Sequence, residues 1–84
     1  MRYSVYVLIS QQNNSYYIGF TSKDPRVRLS EHNLGKNKYT NLHKPYRLVY
    51  YELNYCKSCA LKREKFLKSG QGKKFIRLLI TSQS

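Results

Sequence analysis

The chain has 84 residues and carries 16 Lys or Arg against four Asp or Glu, a formal net charge of +12 at pH 7. This length predicts one small domain over residues 1–84, and so dense a charge favours a polyanionic partner, with nucleic acid ahead of an anionic membrane surface. No apolar run approaches the ~20 residues of a membrane span, and the apolar N-terminal stretch is too short for a secretory signal. We therefore expect a cytoplasmic nucleic-acid-binding protein, with a solvated basic surface as the alternative.

The first elements predicted are two strands that form a hairpin. Residues 3–9 are rich in Tyr, Val and Ile, as strands are, and residues 16–20 repeat this composition after a polar turn. So short a link favours an antiparallel pair. With a four-residue loop at 10–13, Tyr6 lies directly opposite Tyr17, and both phenols share one face of the sheet.

A helix, a strand and two further helices follow. Asp24 can cap a helix over residues 25–33, Pro25 suits its first position, and Gly35 can end it. A polar, basic loop then leads to a third strand at 46–53, a second helix from about residue 58 to 70, and a third at 73–80 with one apolar stripe. The order β-β-α-β-α-α predicts an α+β fold, with a small, mainly antiparallel three-stranded sheet flanked by helices.

Glu64 is the first candidate for chemistry. On the second predicted helix it shares an apolar face with Ala60, Leu61 and Leu67. A buried carboxylate is costly, so it must be protonated, paired with Lys or Arg, or bound to a metal ion. The pattern leaves a salt bridge and a metal ligand both open.

The first helix and the hairpin supply further candidates. Arg28 and His32 lie one turn apart beside the apolar Leu29; an Arg can clamp a phosphate and a His can relay a proton, although both could simply be exposed. Gly19 lies on the same strand face as Tyr17 and leaves room for a close approach. With the two phenols and Glu64, these side chains are the parts needed to hydrolyse a phosphodiester.

Taken in chain order, these motifs resemble those of the small stand-alone members of the GIY-YIG nuclease family. The second strand reads Tyr17-Ile18-Gly19, the family's YIG, and the first reads Ser4-Val5-Tyr6 in place of Gly-Ile-Tyr. The first helix matches R-L-x-E-H-N over residues 28–33, and residues 60–64 match the helix that bears the metal-binding Glu. The resemblance covers nearly the whole chain.

This resemblance implies a metal-dependent endonuclease with a one-metal mechanism, acting on DNA in preference to RNA. Glu64 would hold one Mg²⁺ or Mn²⁺. Tyr6 would be the base that activates the attacking water, with His32 accepting its proton. Tyr17 would orient the water or the phosphate, and Arg28 would stabilise charge in the transition state.

The acidic residues independently favour one metal over two, because two-metal sites draw on several clustered carboxylates. The chain has only four acids. Asp24 is expected to cap a helix, Glu31 to point away from Arg28 on the helical wheel, and Glu52 to end a strand. Glu64 is the acid that we expect at the candidate metal site.

A basic surface is expected to follow the phosphate backbone, although a solvated basic face would give the same pattern. Its candidate residues are Lys36, Lys38, His43, Lys44, Arg63, Lys65, Lys73 and Lys74, with Tyr39 placed to stack on a base.

Cys56 and Cys59 form a C-x-x-C pair without the further ligands of a zinc site or the βαβ context of a redox motif, so two free thiols at a helix start are expected.

Two other functions compete with the nuclease. A catalytically weak or inactive nucleic-acid-binding module would keep the same charge and fold, and a basic membrane-surface or scaffold protein would explain the charge alone. Without a specificity domain, we expect recognition of backbone or structure over base sequence. A protein partner could supply targeting.

Overall fold

The computed structural model describes residues 2–36 and 41–83. Its elements are β1 (Tyr3–Ser10), β2 (Tyr16–Thr21), α1 (Pro25–Asn33), β3 (Tyr46–Asn54), α2 (Lys57–Lys68) and α3 (Gly70–Gln83). The strands form one antiparallel sheet in the order β2-β1-β3, which confirms the predicted α+β architecture. In this described part, no helix is long and apolar enough to cross a membrane.

Both faces of the sheet are covered, and the alternation along β1 separates them. Val5 and Val7 point into an apolar cluster formed with α2 and α3, whereas Tyr6 and Leu8 point into a second cluster beneath α1. All four side chains are buried because β1 is the central strand.

The hairpin register differs from the prediction by two residues. Tyr6 pairs with Gly19, and Tyr17 is its diagonal neighbour. The N–H of Ser10 donates to the carbonyl of Ser15 at 2.8 Å, so Ser10 is the last paired residue of β1 and the next four residues form the loop. The predicted pairing of Tyr6 with Tyr17 is therefore wrong, but a shift of two keeps both side chains on one face.

The ends of α1 are as predicted. The Asp24 carboxylate accepts the N–H of Arg26 at 2.8 Å, and Pro25 occupies the first turn. At the other end, Gly35 follows the C-cap with a φ of 82°, the left-handed conformation that favours glycine there. These caps fix which face α1 turns toward the sheet.

The start of α3 is earlier than predicted, at Gly70 and not residue 73. Ser69 Oγ accepts the N–H of Gly72 at 3.2 Å, which caps the new helix at once. A Cβ on Gly72 would run into the backbone of Phe66 and Leu67. The glycine therefore permits close packing of α3 on α2, and it lies inside α3 and not before it as predicted.

One residue that was predicted to lie on the core face of α2 does not lie there. Ala60 and Leu67 are fully buried, but Leu61 is 40% exposed. Leu61 lies ~100° around the helix from Ala60, and the half-buried Phe66 packs against the core instead. The buried stripe is thus narrower than the sequence suggested.

Candidate active site

The centre of the candidate site is a buried hydrogen bond between Tyr6 and His32. The phenolic oxygen of Tyr6 lies 3.1 Å from Nε2 of His32, and the imidazole is only 1% exposed. Alternation in β1 turns Tyr6 toward α1, and Leu29 packs on the same cluster, one turn before His32. His32 is therefore enclosed by the fold and is not an exposed residue at the edge of the sheet.

Asn33 anchors α1 in this position, a role that reasoning from the sequence missed. Its side-chain oxygen accepts the N–H of Tyr46 at 2.6 Å, and its amide group donates to the carbonyl of Tyr46 at 3.1 Å. This two-way contact ties the end of α1 to the start of β3. The only sequence signal for it was the final letter of the R-L-x-E-H-N motif.

Three rings meet around this hydrogen bond. The Tyr17 ring lies 4.7 Å from the His32 ring and 6.4 Å from the Tyr6 ring, measured between centroids. Gly19 lies directly under the Tyr6 phenol, and a Cβ there would come within 2.7 Å of the phenolic oxygen. The glycine of the YIG motif thus makes room for the hydroxyl of Tyr6.

Burial sets the protonation of the pair at neutral pH. Burial raises the pKa of the Tyr6 phenol, opposed by a hydrogen bond with Arg28. Burial, followed by the positive charge of Arg28, lowers the pKa of His32. Both groups are therefore neutral near pH 7, so the imidazole is able to accept a proton.

Arg28 is held beside this pair by Glu31. Nη1 of Arg28 donates to Glu31 at 2.6 Å, and the ammonium group of Lys23 lies 3.3 Å from the other carboxylate oxygen. The prediction that Glu31 points away from Arg28 is wrong, because residues three apart on a helix are neighbours. The Arg28 hydrogen bond, then that of Lys23, lowers the pKa of Glu31.

Glu64, on α2, acts on the same phenol through its charge. Its side chain is 20% exposed, and Oε2 lies 3.7 Å from the ammonium nitrogen of Lys68, one turn further on. Its negative charge contributes to raising the pKa of Tyr6. The contact with Lys68 is loose and partly solvated, so it stabilises little and leaves the carboxylate accessible.

Two clefts flank these residues, and α2 runs from one to the other. Lys57, at the start of α2, lines the first with Lys23 and Arg28; Lys68, at its end, lines the second with Tyr17 and Lys73. Glu64 lies between these two ends of the helix. Lys23, Lys57 and Lys68 were not singled out from the sequence, because lysines are spread over the whole chain.

The other predicted binding residues are dispersed. Arg63 donates to both carboxylate oxygens of Glu52, at 3.1 and 3.2 Å, and its guanidinium group covers the ring of Phe66. Lys74 lines a separate surface of α3 with Arg77. Lys36 and Lys65 are exposed, His43 and Lys44 are half-buried, and Lys38 and Tyr39 lie outside the described residues.

The donor set fits one hard metal ion and no larger cluster. Within residues 2–36 and 41–83, no group of three or more His, Cys, Asp or Glu side chains is placed to hold a metal together. Glu64 is a partly exposed carboxylate whose charge acts on Tyr6. A single carboxylate with water and substrate phosphate is a usual environment for Mg²⁺.

The fold and the order of these residues agree with the comparison with known families. Residues 2–76 match the GIY-YIG catalytic domain, and the chain belongs to the GIY-YIG family. The family consists generally of nucleases.

Similar proteins carry the name UPF0213. One from Staphylococcus aureus (strain Mu3 / ATCC 700698) is 40% identical over 73 residues, which cover 86% of this chain and 88% of the relative, and the protein of strain USA300 gives the same figures. The solution NMR structure of the UPF0213 protein BH0048 from Bacillus halodurans is 33% identical, with a TM-score of 0.57 over 94% of this chain and 85% of that one. The name UPF0213 states no activity, so these relatives support the family and the fold.

Proposed function

We propose that this protein is a metal-dependent endonuclease that hydrolyses phosphodiester bonds of nucleic acid, with DNA as the favoured substrate. The observation that carries the proposal is the buried hydrogen bond between Tyr6 and His32, with the charges of Arg28 and Glu64 acting on the same phenol. A neutral phenol joined to a neutral imidazole can pass a proton, and the neighbouring charges suit a phosphate and a cation.

The proton moves along this pair during attack. Tyr6 takes a proton from the attacking water while its own phenolic proton passes to Nε2 of His32. Because burial and Arg28 lower the pKa of His32, the imidazole is neutral at neutral pH and able to accept this proton. Tyr17, against the His32 ring, orients the water or the phosphate.

Charge on the phosphate is balanced from two sides. Arg28 stabilises the negative charge that builds up in the transition state, and Glu31 holds the guanidinium beside Tyr6 until the phosphate arrives. Glu64 would hold one Mg²⁺ or Mn²⁺; such an ion, when bound, neutralises charge on the phosphate and the leaving oxygen.

The substrate backbone follows the two clefts. Each cleft contains one residue of the candidate site, Arg28 in the first and Tyr17 in the second, together with two lysines. A strand passing from one cleft to the other passes the candidate site. The four lysines that line the two clefts suit contacts to phosphates, and hence recognition of backbone over base sequence.

The decisive experiment compares Glu64→Gln with Glu52→Gln. Each change removes one negative charge, but Glu52 is bound to Arg63 and lies outside the candidate site. Labelled single-stranded, duplex and branched DNA and RNA are incubated with Mg²⁺ or Mn²⁺, and with EDTA. We expect cleavage by the parent and by Glu52→Gln, dependence on the metal, and loss of cleavage in Glu64→Gln with binding retained.

The second candidate function is a nucleic-acid-binding module, and the net charge of +12 favours it, because such a charge attracts a polyanion whether or not a phosphodiester bond is cleaved. Binding of nucleic acid by all three proteins without cleavage of any substrate would establish this function and overturn the nuclease. Cleavage retained by Glu64→Gln would instead remove Glu64 from the mechanism.

A further inference from the structure

A pair of thiols lies at the start of α2, outside the candidate active site. Cys56 and Cys59 are both free and exposed. Sγ of Cys56 caps the helix, accepting the N–H of Cys59 at 3.4 Å and lying 2.9 Å from the hydroxyl of Ser58. Cys59 follows three residues later, in the first turn of α2. Two nucleophiles are thus held together at an accessible helix end.

The two thiols differ in their surroundings. Hydrogen bonds from the Cys59 thiol, then from the Ser58 hydroxyl and the Cys59 N–H, lower the pKa of Cys56 to about 7. The hydrogen bond to the Cys56 side chain, then burial, raises the pKa of Cys59. The first turn of α2 also contains no acidic residue, so nothing there opposes a thiolate at the positive end of the helix. Cys56 is therefore the thiol that reacts first, and Cys59 is the thiol that can react in a second step.

We propose that Cys56 and Cys59 form a site for thiol–disulfide exchange with low-molecular-weight disulfides, independent of any nuclease activity. The thiolate of Cys56 attacks one sulfur of the small disulfide, which forms a mixed disulfide and expels one small thiolate. Cys59 then loses its proton and attacks Sγ of Cys56, which expels the second small thiolate. The protein dithiol is oxidised to an intramolecular disulfide, and the small disulfide is reduced to two thiols.

Exposure and composition favour exchange over a structural role. Structural cysteines are buried and inert, whereas reactive ones are accessible and lie in positive surroundings. The chain carries a large positive charge, with Lys57 between the two thiols in sequence. A zinc site needs two further ligands, and the described residues bring no third His, Cys, Asp or Glu to this pair.

The test follows the reaction of the reduced full-length protein with glutathione disulfide at pH 7 by mass spectrometry. We expect the parent to lose two hydrogens and keep no glutathione. Cys59→Ser should keep one glutathione, because the second step is blocked. Cys56→Ser should react at least about tenfold more slowly, because Cys59 has little thiolate at this pH. Dithiothreitol should reverse each product.

Unfolding in urea provides the matched control, since the difference between the thiols arises from the folded helix start. In urea, the two single variants should react at similar rates. Equal rates in the folded protein, or a parent that accumulates two glutathiones without an internal disulfide, would overturn the proposal. So would a rate difference that persists unchanged in urea. None of these readouts requires nuclease activity, so this proposal and the proposed nuclease fail separately.

Discussion

The two faces of the sheet share the strand β1 but are built differently. On the face covered by α2 and α3, Val5 and Val7 pack in the main apolar core with residues such as Ile76. On the face covered by α1, Tyr6 is equally buried, yet it meets a buried imidazole and a charged guanidinium group. Successive residues of one strand therefore serve packing and candidate chemistry in turn.

This difference shows how a small chain can keep a polar site without a large core. The apolar face resists unfolding through tightly packed aliphatic side chains. The α1 face tolerates buried polar groups because Tyr6 and His32 are hydrogen-bonded to one another. Changes on the apolar face should affect stability first, and changes on the α1 face should affect cleavage first.

The largest expected effect on cleavage comes from Tyr6→Phe. The change removes the hydroxyl that hydrogen-bonds His32 but keeps the ring that packs beneath α1. We expect cleavage to fall by about 10²–10⁴-fold, the usual contribution of a positioned acid or base, with a loss in the free energy of unfolding of about 1 kcal/mol. Single-turnover cleavage and urea unfolding measure the two effects.

Tyr50→Phe is the matched control on the apolar face. The Tyr50 ring meets the edge of Phe75 there, with centroids 5.9 Å apart. Removing its hydroxyl should leave cleavage unchanged. If both changes reduced cleavage equally, the two faces would not be functionally distinct and Tyr6 would lose its assigned role.

The next largest effect is on stability, from Leu67→Ala. Leu67 is fully buried between α2 and the sheet, so the change leaves a cavity and should cost about 2–5 kcal/mol. Leu61→Ala, on the same helix but 40% exposed, should cost much less. Urea unfolding of both variants checks this, and equal losses would contradict the narrow buried stripe seen on α2.

A smaller, pH-dependent effect should come from His32. Its folded pKa lies below the ordinary value near ~6.5, so the unfolded chain binds the proton first. Stability is therefore complete above ~6.5 and falls as the pH drops toward the folded pKa, by at most about 1.4 kcal/mol per pH unit. The free energy of unfolding, measured in urea from about pH 7.5 down to about pH 5, should show this decline.

In His32→Gln the same pH series should lack this component, whereas His43→Gln should keep it. Cleavage by the parent should fall at a lower pH than stability begins to fall, because the folded imidazole must be protonated before it stops accepting protons. A parent and a His32→Gln variant with parallel pH curves would show that burial of His32 does not set this dependence.

The sequence predicted those parts of the fold that depend on local patterns. Asp24, Pro25 and Gly35 located α1 because caps act within one turn. The hairpin register was missed because Ser10 has a turn-like composition but takes part in the strand ladder, with its hydroxyl donating to the carbonyl of His43 at 2.6 Å. That contact lies 33 residues away, beyond any local pattern.

The candidate site was likewise predicted only in part from local patterns. Helical spacing placed Arg28 and His32 on neighbouring positions, but only the packed structure shows that His32 is buried against Tyr6. The pairing of Glu31 with Arg28 was predictable from the sequence, because residues three apart lie only ~60° apart around a helix and are neighbours. Periodicity thus supplied the residues, and tertiary packing supplied their contacts and protonation.

The smallest predicted effect separates two adjacent lysines that the sequence treats alike. Lys73 lines the cleft that contains Tyr17, whereas Lys74 lies with Arg77 and Leu78 on another surface of α3. If the substrate follows the clefts, Lys73→Ala removes one phosphate contact and lowers the slope of log K against log salt by about 0.7–0.9, while Lys74→Ala changes it little. Fluorescence anisotropy with labelled DNA over a salt series measures both slopes. Equal losses would show that binding depends on overall charge and not on the path between the clefts, and a larger loss in Lys74→Ala would place the nucleic acid on the opposite surface of α3.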